Sequence, residues 1–256
     1  VCSSDLGMRR NQLVESLNAL LEIDRYRDYA PNGLQVEGRD EINTIVTAVT
    51  ASQNVIDAAI ERKADLLLVH HGYFWKGEEL RIVGLKQQRL KKLLEHEINL
   101  VAYHLPLDGH IQLGNNAQWG QRLGCEIKGT LEQAELVCQG EFEQPLTLDQ
   151  LSEKVAAGLE GRPPLVIAGH QHPIQRIGWC SGGAQDYLVH AAEAGLDAYL
   201  SGEVSERTYH EAMELGICYL ACGHHATERG GVMALGEWVR EQYGLECHFI
   251  DESNPV

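Results

Sequence analysis

Two adjacent histidines, His70 and His71, stand at the end of an apolar run of strand length and are followed by Gly72. Imidazole is a common ligand for transition metals and a common proton carrier. In open α/β sheets, ligands bind at the carboxyl ends of the strands. Neighbouring strand residues face opposite ways, so we expect a turn near Gly72 if both imidazoles serve one site. The alternative interpretation is a pair of partly buried histidines with backbone partners.

Further metal-ligating side chains follow other predicted strands. His104 and Asp108 are four residues apart, and so are His224 and Glu228. On a helix this spacing puts both side chains on one face, and we expect His224 to open a helix. Pro106 predicts a loop between His104 and Asp108 instead. Eight such residues lie at predicted strand ends or in the turns after them: His70, His71, His104, Asp108, Glu203, His224, His225 and Glu228.

These ligands outnumber what one tetrahedral ion needs, and they therefore predict a dinuclear metal site. Asp108 and Glu228 are suited to bridge two ions about 3.5 to 4 Å apart. Mixed nitrogen and oxygen ligands fit zinc, manganese, iron, nickel or cobalt. The sequence contains neither a serine nucleophile motif nor a dinucleotide fingerprint. Hydrolysis at this site would therefore depend on metal-activated water.

The apolar pattern predicts a scaffold of parallel strands that would position these ligands. Residues 45–49 predict a strand, 52–62 a helix and 66–69 a second strand, which together make a β-α-β unit. Its right-handed crossover places both carboxyl ends on one edge of the sheet. A helix over residues 84–97 and a strand over residues 98–103 follow.

The second half of the chain repeats this plan at an offset of 132 residues. Asp65 matches Asp197 at this offset, and Glu203 takes the position of His71. At an offset of 120 residues, the first His-x-x-x-acid pair meets the second. We therefore expect an α/β fold of two related, interlocked halves that share one metal site at the carboxyl ends of their strands.

Glycines and the last apolar segment suggest how the halves are divided. Gly129 or Gly140 marks the expected boundary, and a last strand over residues 245–250 is expected to return to the first half. The resulting division is residues 8–130, completed by 229–256, for the first half and 131–228 for the second. Residues 1–7 match nothing that follows, and we interpret them as a non-native leader.

Composition excludes several classes of protein. The formal net charge of -16 argues against an extended nucleic-acid surface or binding to an acidic membrane. No apolar run approaches the roughly 20 residues that span a bilayer. Seven cysteines without a compact spacing framework fit reduced thiols, so we expect a cytoplasmic protein.

Two further segments have interpretations that stay open. The rings of residues 73–75, Tyr-Phe-Trp, follow the two histidines, and they either stack on a base or cap the core. If they stack, the next residue, Lys76, would meet a phosphate. Ser181, Gly182 and Gly183 either cradle an anion or form a packing turn, and we favour the turn.

Five segments carry a resemblance to a known family. They are residues 28–35 (DYAPNGLQ), 70–77 (HHGYFWKG), 104–108 (HLPLD), 201–204 (SGEV) and 223–231 (GHHATERGG). From Met8 onward the chain resembles the Nif-three-like family, also described as GTP cyclohydrolase type-two-like, and most closely its short bacterial YbgI branch. The family pattern often has threonine at the position of Leu105. The leucine lacks the hydroxyl of threonine, so this difference removes a hydroxyl but no metal ligand.

The resemblance implies a Nif-three-like fold and a specific site. It implies that His104 lies close to the metal ions as a supporting or acid-base group. It also implies a ring-shaped homohexamer with the metal sites facing an internal cavity. The implied ligands of the two ions are His70, His71, Asp108, His224 and Glu228.

Ligand chemistry and resemblance together predict a dinuclear metal-dependent hydrolase that acts on a small molecule. We expect GTP cyclohydrolase-like ring opening of a purine nucleotide or a related heterocycle. One ion would lower the pKa of a bound water, the other would polarise the electrophilic carbon, and His104 would move protons. The alternative is a metal-binding or regulatory scaffold without turnover.

Overall fold

Short strands alternate with helices along the chain, and the structure, a computed structural model, describes residues 7–256. The expected leader, residues 1–7, therefore lies outside the described residues except for Gly7. The first elements are β1 (Met8–Arg9), α1 (Arg10–Leu20), β2 (Gly33–Val36), β3 (Glu41–Ile42), β4 (Thr44–Thr50), α2 (Gln53–Glu61), β5 (Leu66–His71), α3 (Gly84–Glu95), β6 (Asn99–Ala102) and α4 (Leu105–Gly109).

The second part of the chain has its own set of elements. They are α5 (Asn115–Leu123), β7 (Glu126–Leu131), β8 (Ala134–Leu146), α6 (Leu148–Gly158), β9 (Leu165–Ile167), β10 (Ile174–Cys180), α7 (Leu188–Glu193), β11 (Ala198–Ser201), α8 (Glu206–Leu215), β12 (Cys218–Ala221), α9 (His224–Thr227), α10 (Arg229–Tyr243) and β13 (Glu246–Phe249). Two short 3₁₀ helices cover Ile23–Arg25 and Gln185–Tyr187. None of the helices in the described residues has the length and apolar character that crossing a bilayer requires.

The described residues form two compact units. The first contains the chain up to Leu107 together with Gly231–Ser253, and the second contains Asp108–Gly230 together with Asn254–Val256. This differs from the sequence-based division at residue 130, because β7 pairs with β8 and so belongs to the sheet of the second unit. Gly129 and Gly140, which had suggested a boundary, lie inside this hairpin.

The first unit is built on a five-stranded sheet in the order β13-β4-β5-β6-β2. Strands β13, β4, β5 and β6 run parallel, and β2 closes one edge antiparallel. The apolar residues of β5 are fully buried, which is expected of a central parallel strand with both faces covered. The prediction that the last strand returns to the first half is confirmed, because β13 pairs with β4.

The second unit is built on a six-stranded sheet in the order β7-β8-β10-β11-β12-β9. Its centre, β10-β11-β12, is parallel, as β4-β5-β6 is in the first unit. The β7-β8 hairpin was not predicted. Gly140 permits it, because a Cβ there would come within 2.8 Å of Cys125 Sγ and 2.9 Å of Glu126 O.

The repeat predicted from the sequence is visible in matching hydrogen bonds. Asp65 precedes β5, and its Oδ2 accepts hydrogen bonds from the amides of Asn43 and Thr44 at 2.8 and 2.9 Å. Asp197 precedes β11, and its Oδ2 accepts the corresponding pair, from amides 132 residues later, at 2.9 and 2.8 Å. Each aspartate thus accepts two backbone hydrogen bonds at the start of the first strand of its own β-α-β unit. Asp65 does so for β4 and Asp197 for β10.

One local prediction was wrong. Pro106 was expected to keep residues 104–108 in a loop, but Leu105–Gly109 form α4. Proline is tolerated in the first turn of a helix, since the amides there have no intrahelical acceptor to lose. The second His-x-x-x-acid pair opens a helix as predicted, with His224 as the first residue of α9 and Glu228 directly after its end.

Candidate metal centre

The ends of β5 and β6 bring three imidazoles together in the first unit. The ring centroids of His70 and His71 are 4.6 Å apart, and that of His104 lies 5.3 and 5.9 Å from them. One ring nitrogen from each histidine lies within 4.8 Å of the others, which is close enough for one ion to bind all three. The chain passes close to its neighbours at Gly72, where a Cβ would lie 2.8 Å from the Ala102 Cβ.

The first two histidines both direct Nδ1 into the protein. His70 is fully buried, and its Nδ1 lies 2.8 Å from the backbone oxygen of Tyr103. Because a carbonyl oxygen only accepts, this Nδ1 carries the proton, and Nε2 is the nitrogen that could bind an ion. His71 Nδ1 lies 3.2 Å from the hydroxyl of Thr50, which can accept in the same way.

A buried carboxylate holds the third imidazole. Asp28 Oδ1 lies 2.6 Å from His104 Nδ1, and the Asp28 side chain is only 4% exposed. Burial alone would raise the pKa of Asp28, but hydrogen bonds from His104 and Asn32 and the charge of His104 outweigh it and lower this pKa to about 2. Asp28 is therefore ionised at neutral pH and accepts the Nδ1 proton of His104, which leaves Nε2 to act on a substrate or ion.

The second unit contributes a buried carboxylate just before α5. Asp108 Oδ1 accepts hydrogen bonds from Asn115 Nδ2 at 2.9 Å and from Ser181 Oγ at 3.0 Å. Asn116 supports both residues, because its Nδ2 donates to the Asp108 carbonyl at 3.3 Å and its Oδ1 accepts from Ser181 N at 2.8 Å. The Asp108 carboxylate is thus held in a fixed orientation.

The fourth imidazole lies between two carboxylates. His224 Nδ1 is 2.6 Å from Glu203 Oε1, and His224 Nε2 is 3.1 Å from Glu228 Oε2. Burial alone would lower the pKa of His224, but the two carboxylates outweigh it and raise this pKa to about 9. A carboxylate oxygen of Glu228 also lies within 4.8 Å of one of Asp108, and both residues are buried.

The glycine turn after β10 packs against this group, as the sequence favoured. Gly182 has a φ of +70°, and a Cβ there would overlap Glu228 Oε1 and lie 3.1 Å from His224 Nε2. The Gly182 amide donates to Thr227 Oγ1 at 3.0 Å, so it supports α9. Ser181 donates its hydroxyl to Asp108 Oδ1 and its amide to Asn116 Oδ1.

The structure thus places seven of the eight residues collected from the sequence in two groups. The remaining one, His225, is buried, and its amide donates to the carbonyl of Val256 at 3.0 Å. The group in the first unit is His70, His71 and His104, and the group in the second is Asp108, Glu203, His224 and Glu228.

Sequence reasoning assigned no role to several residues that support these groups. Asp28 appeared only as the first residue of the family segment 28–35, and its contact with His104 spans 76 positions. Asn115 and Asn116, which contact Asp108, belong to none of the segments that carry the family resemblance. No spacing rule connects these residues to the ligands, so only the family segment containing Asp28 offered a signal.

The donor set fits divalent transition metals. Each of the four imidazoles has a partner for Nδ1, which is how proteins orient histidine ligands that bind through Nε2. Buried carboxylates as close as Asp108 and Glu228 repel each other unless a cation or a proton neutralises them. Burial and the nearby Asp108 charge raise the pKa of the Cys180 thiol well above its usual value.

Known proteins of similar sequence match nearly the whole chain. A protein from Pseudomonas aeruginosa named GTP cyclohydrolase 1 type 2 homolog is 52% identical over 98% of this chain and 100% of its own length. One of the same name from Vibrio cholerae is 53% identical over 97% of this chain and 100% of its own length.

Solved structures show the same fold. The protein ybgI, a structural genomics target of unknown function, matches with a TM-score of 0.94 and 48% identity over 97% of this chain and 100% of its own. A protein from Thermus thermophilus matches with a TM-score of 0.89 and 33% identity over the same shares. The family model for Duf34/NIF3 (NGG1p interacting factor 3) covers residues 8–255. The chain therefore belongs to the Duf34/NIF3 family.

Proposed function

We propose that this protein is a dinuclear metal-dependent hydrolase that opens the ring of a purine nucleotide or a related nitrogen heterocycle. The name of its relatives, GTP cyclohydrolase 1 type 2 homolog, supports this class of substrate. The single observation that carries the metal chemistry is the shared use of Nδ1 by four histidines. The proposed ligands are His70, His71, Asp108, His224 and Glu228.

The number of ligands supports two ions rather than one. Three imidazoles and two carboxylates exceed the needs of a tetrahedral ion, and the buried carboxylates of Asp108 and Glu228 suit a bridging role. Zinc, manganese, iron, nickel and cobalt all accept this mixture of nitrogen and oxygen. When bound, such ions supply Lewis-acid chemistry that makes water a better nucleophile near neutral pH.

The chain's own residues supply the proton transfers. Asp28 holds the proton on His104 Nδ1, so His104 Nε2 accepts a proton from the attacking water. The same nitrogen then delivers the proton to the ring nitrogen whose bond to carbon breaks. Opening the ring thus consumes one water and needs no further reactant.

Two substitutions test the proposal. The protein is purified without oxygen, loaded with each candidate metal and assayed against a panel of purine nucleotides. Glu228→Gln should lower metal occupancy, because a neutral amide compensates less of the cationic charge. His104→Gln should keep both ions but lose about a hundredfold or more in turnover, the range for an acid-base group.

The control and the contrary outcome are both measurable. His210→Gln replaces an exposed histidine on α8 whose partner is Glu206, and it should leave metal content and turnover unchanged. If the wild-type protein binds two ions but turns over no nucleotide with any metal, the hydrolase proposal fails. The regulatory scaffold then becomes the better account.

We also propose that copies of this chain assemble and that the protein acts in the cytoplasm. The family resemblance supports a hexamer, and an exposed apolar loop on the first unit offers a surface for a second copy. The six cysteines of the described residues are free thiols, which supports a reducing compartment. What we call the apolar loop consists of Leu80, Ile82 and Val83 before α3 and Leu85 in its first turn, with exposed fractions between 56% and 88%.

A further inference from the structure

The three aromatic residues of the loop after β5, Tyr73, Phe74 and Trp75, lie in two different environments. Tyr73 is 5% exposed, and its hydroxyl donates to the carbonyl of Ala51 at 2.6 Å. Phe74 packs against the apolar core of the first unit. These two rings therefore cap the core, which was one of the two interpretations of this segment. Trp75 is not a member of that core.

Trp75 lies instead against the histidine group. Its ring centroid is 4.9 Å from that of His104, with an interplanar angle of 88°, and 6.0 Å from that of His71. The preceding residue, Phe74, has a φ of +65°, a backbone conformation that non-glycine residues rarely adopt. Such a conformation persists only where the surroundings enforce it, and it often marks a functional site.

A second aromatic ring flanks the same histidine. Tyr29 is 62% exposed, yet its ring centroid lies 6.4 Å from that of His104. Its amide donates to Asp28 Oδ1 at 2.6 Å, and its carbonyl accepts from Lys76 N at 2.6 Å. The position of Tyr29 is therefore fixed by its backbone, while the ring contributes little to the core.

Gln35 ties the two aromatic segments together. Its Oε1 accepts from Tyr73 N at 2.8 Å, and its Nε2 donates to Pro31 O at 2.9 Å and Tyr73 O at 3.1 Å. The segments that carry Tyr29 and Trp75 thus form one hydrogen-bonded support. Both rings lie beside His104 on this support.

We propose that Tyr29 and Trp75 form an aromatic subsite that stacks on a planar nitrogen heterocycle next to His104. The assignment of that heterocycle to a purine rests on the proposed function. Aromatic side chains bind bases through stacking, and rings whose backbone segments are already tied together lose less conformational freedom on binding. The subsite places the ring of the substrate within reach of the His104 imidazole.

Binding can be measured apart from turnover. The full chain, with its metal as purified, is titrated calorimetrically with guanosine monophosphate and with ribose 5-phosphate, which lacks the base. The wild-type protein should bind guanosine monophosphate more tightly. Trp75→Ala should weaken that binding by about 5- to 100-fold, the range for removing one base-stacking ring. Tyr29→Ala should weaken it in the same direction, and Trp75→Phe should restore most of it.

A matched control guards against general effects. Tyr209→Ala removes another exposed tyrosine, 53% exposed on α8, and should leave binding unchanged. Circular dichroism of each variant reports folding, and Trp75→Phe keeps the test valid if Trp75→Ala misfolds. In that case a loss of binding in folded Tyr29→Ala with retention in Trp75→Phe supports the subsite.

Two results would overturn the proposal. One is equal affinity of the wild-type protein for guanosine monophosphate and ribose 5-phosphate. The other is unchanged binding in folded Trp75→Ala and Tyr29→Ala. Product analysis of the same samples tests the hydrolase separately. If base binding depends on Trp75 but no ring opening occurs, the subsite is supported and the hydrolase is contradicted. If ring opening occurs with an unchanged KM in Trp75→Ala, the hydrolase is supported and the subsite is contradicted.

Discussion

Carboxylates hold two of the four histidines, and neutral oxygens hold the other two. Asp28 and Glu203 accept from the Nδ1 atoms of His104 and His224 at 2.6 Å. A carboxylate partner makes the imidazole a stronger base at Nε2 than a carbonyl or hydroxyl partner does. The structure thus distinguishes two chemical types among the four imidazoles. The sequence alone gives no means of telling them apart.

Replacing Glu203 tests this support. Glu203→Gln removes the charge beside His224 Nδ1, and metal affinity should fall about 10- to 100-fold, as it does when the partner of a ligating histidine is lost. Competition with a chromophoric chelator measures the change. Glu206→Gln, which alters the exposed ion pair with His210, is the matched control. Equal affinities of the two variants would contradict a supporting role for Glu203.

The metal-free protein should show a pH dependence that comes from His224. The folded-state pKa is about 9 and the unfolded value is 6.5, so protonated His224 stabilises the fold fully below pH 6.5. This contribution, on the order of 2–3 kcal/mol, is lost as the pH rises through about 9. Urea unfolding in the presence of a chelator, at several pH values, measures it. If the free energy of unfolding of His224→Gln depends on pH as strongly as that of the wild-type protein, the effect comes from other groups.

The residues of the candidate site could be collected from the sequence because histidines and carboxylates after apolar runs mark strand ends. Their supporting residues could not. Asp28 reaches His104 only because β2 and β6 pair in the sheet, and that pairing is a property of the fold. Residue types alone identify what can bind a metal but not which nitrogen will bind it.

At the level of elements, the repeated β-α-β plan could be predicted because its apolar runs are long and continuous. The matching roles of Asp65 and Asp197 show that the repeat extends to hydrogen bonds. The β7-β8 hairpin could not be predicted, since its strand β7 is almost wholly exposed and lacks an apolar pattern. Glycines inside such strands are easily interpreted as a linker.

The turn after β10 gives a prediction at this scale. Gly182→Ala should lower the free energy of unfolding and metal affinity together, because the new Cβ overlaps Glu228 Oε1 in addition to straining the backbone. Gly216 has a similar φ of +65° with open space around it. Gly216→Ala should therefore cost only the strain of about 1–2 kcal/mol and leave metal binding intact. Equal effects on metal affinity would refute the packing argument.

For the whole molecule, the net charge of -16 and the apolar loop act on different partners. We expect the charge to disfavour nucleic acid and acidic membranes, and we propose that the loop binds another copy of the chain. Light scattering should give a mass several times that of one chain. Replacing Leu80 and Ile82 with serine should reduce that mass, because both side chains are exposed and apolar. A wild-type monomer at micromolar concentration would contradict the assembly.

The dinuclear centre is the claim on which the proposed chemistry depends, and metal stoichiometry tests it most directly. The protein is reconstituted with zinc or manganese under non-oxidising conditions, freed of loosely bound metal and analysed by native mass spectrometry with elemental analysis. We expect two ions per chain in the wild-type protein and fewer in Glu228→Gln. One ion per chain at saturation, or none, would contradict the account.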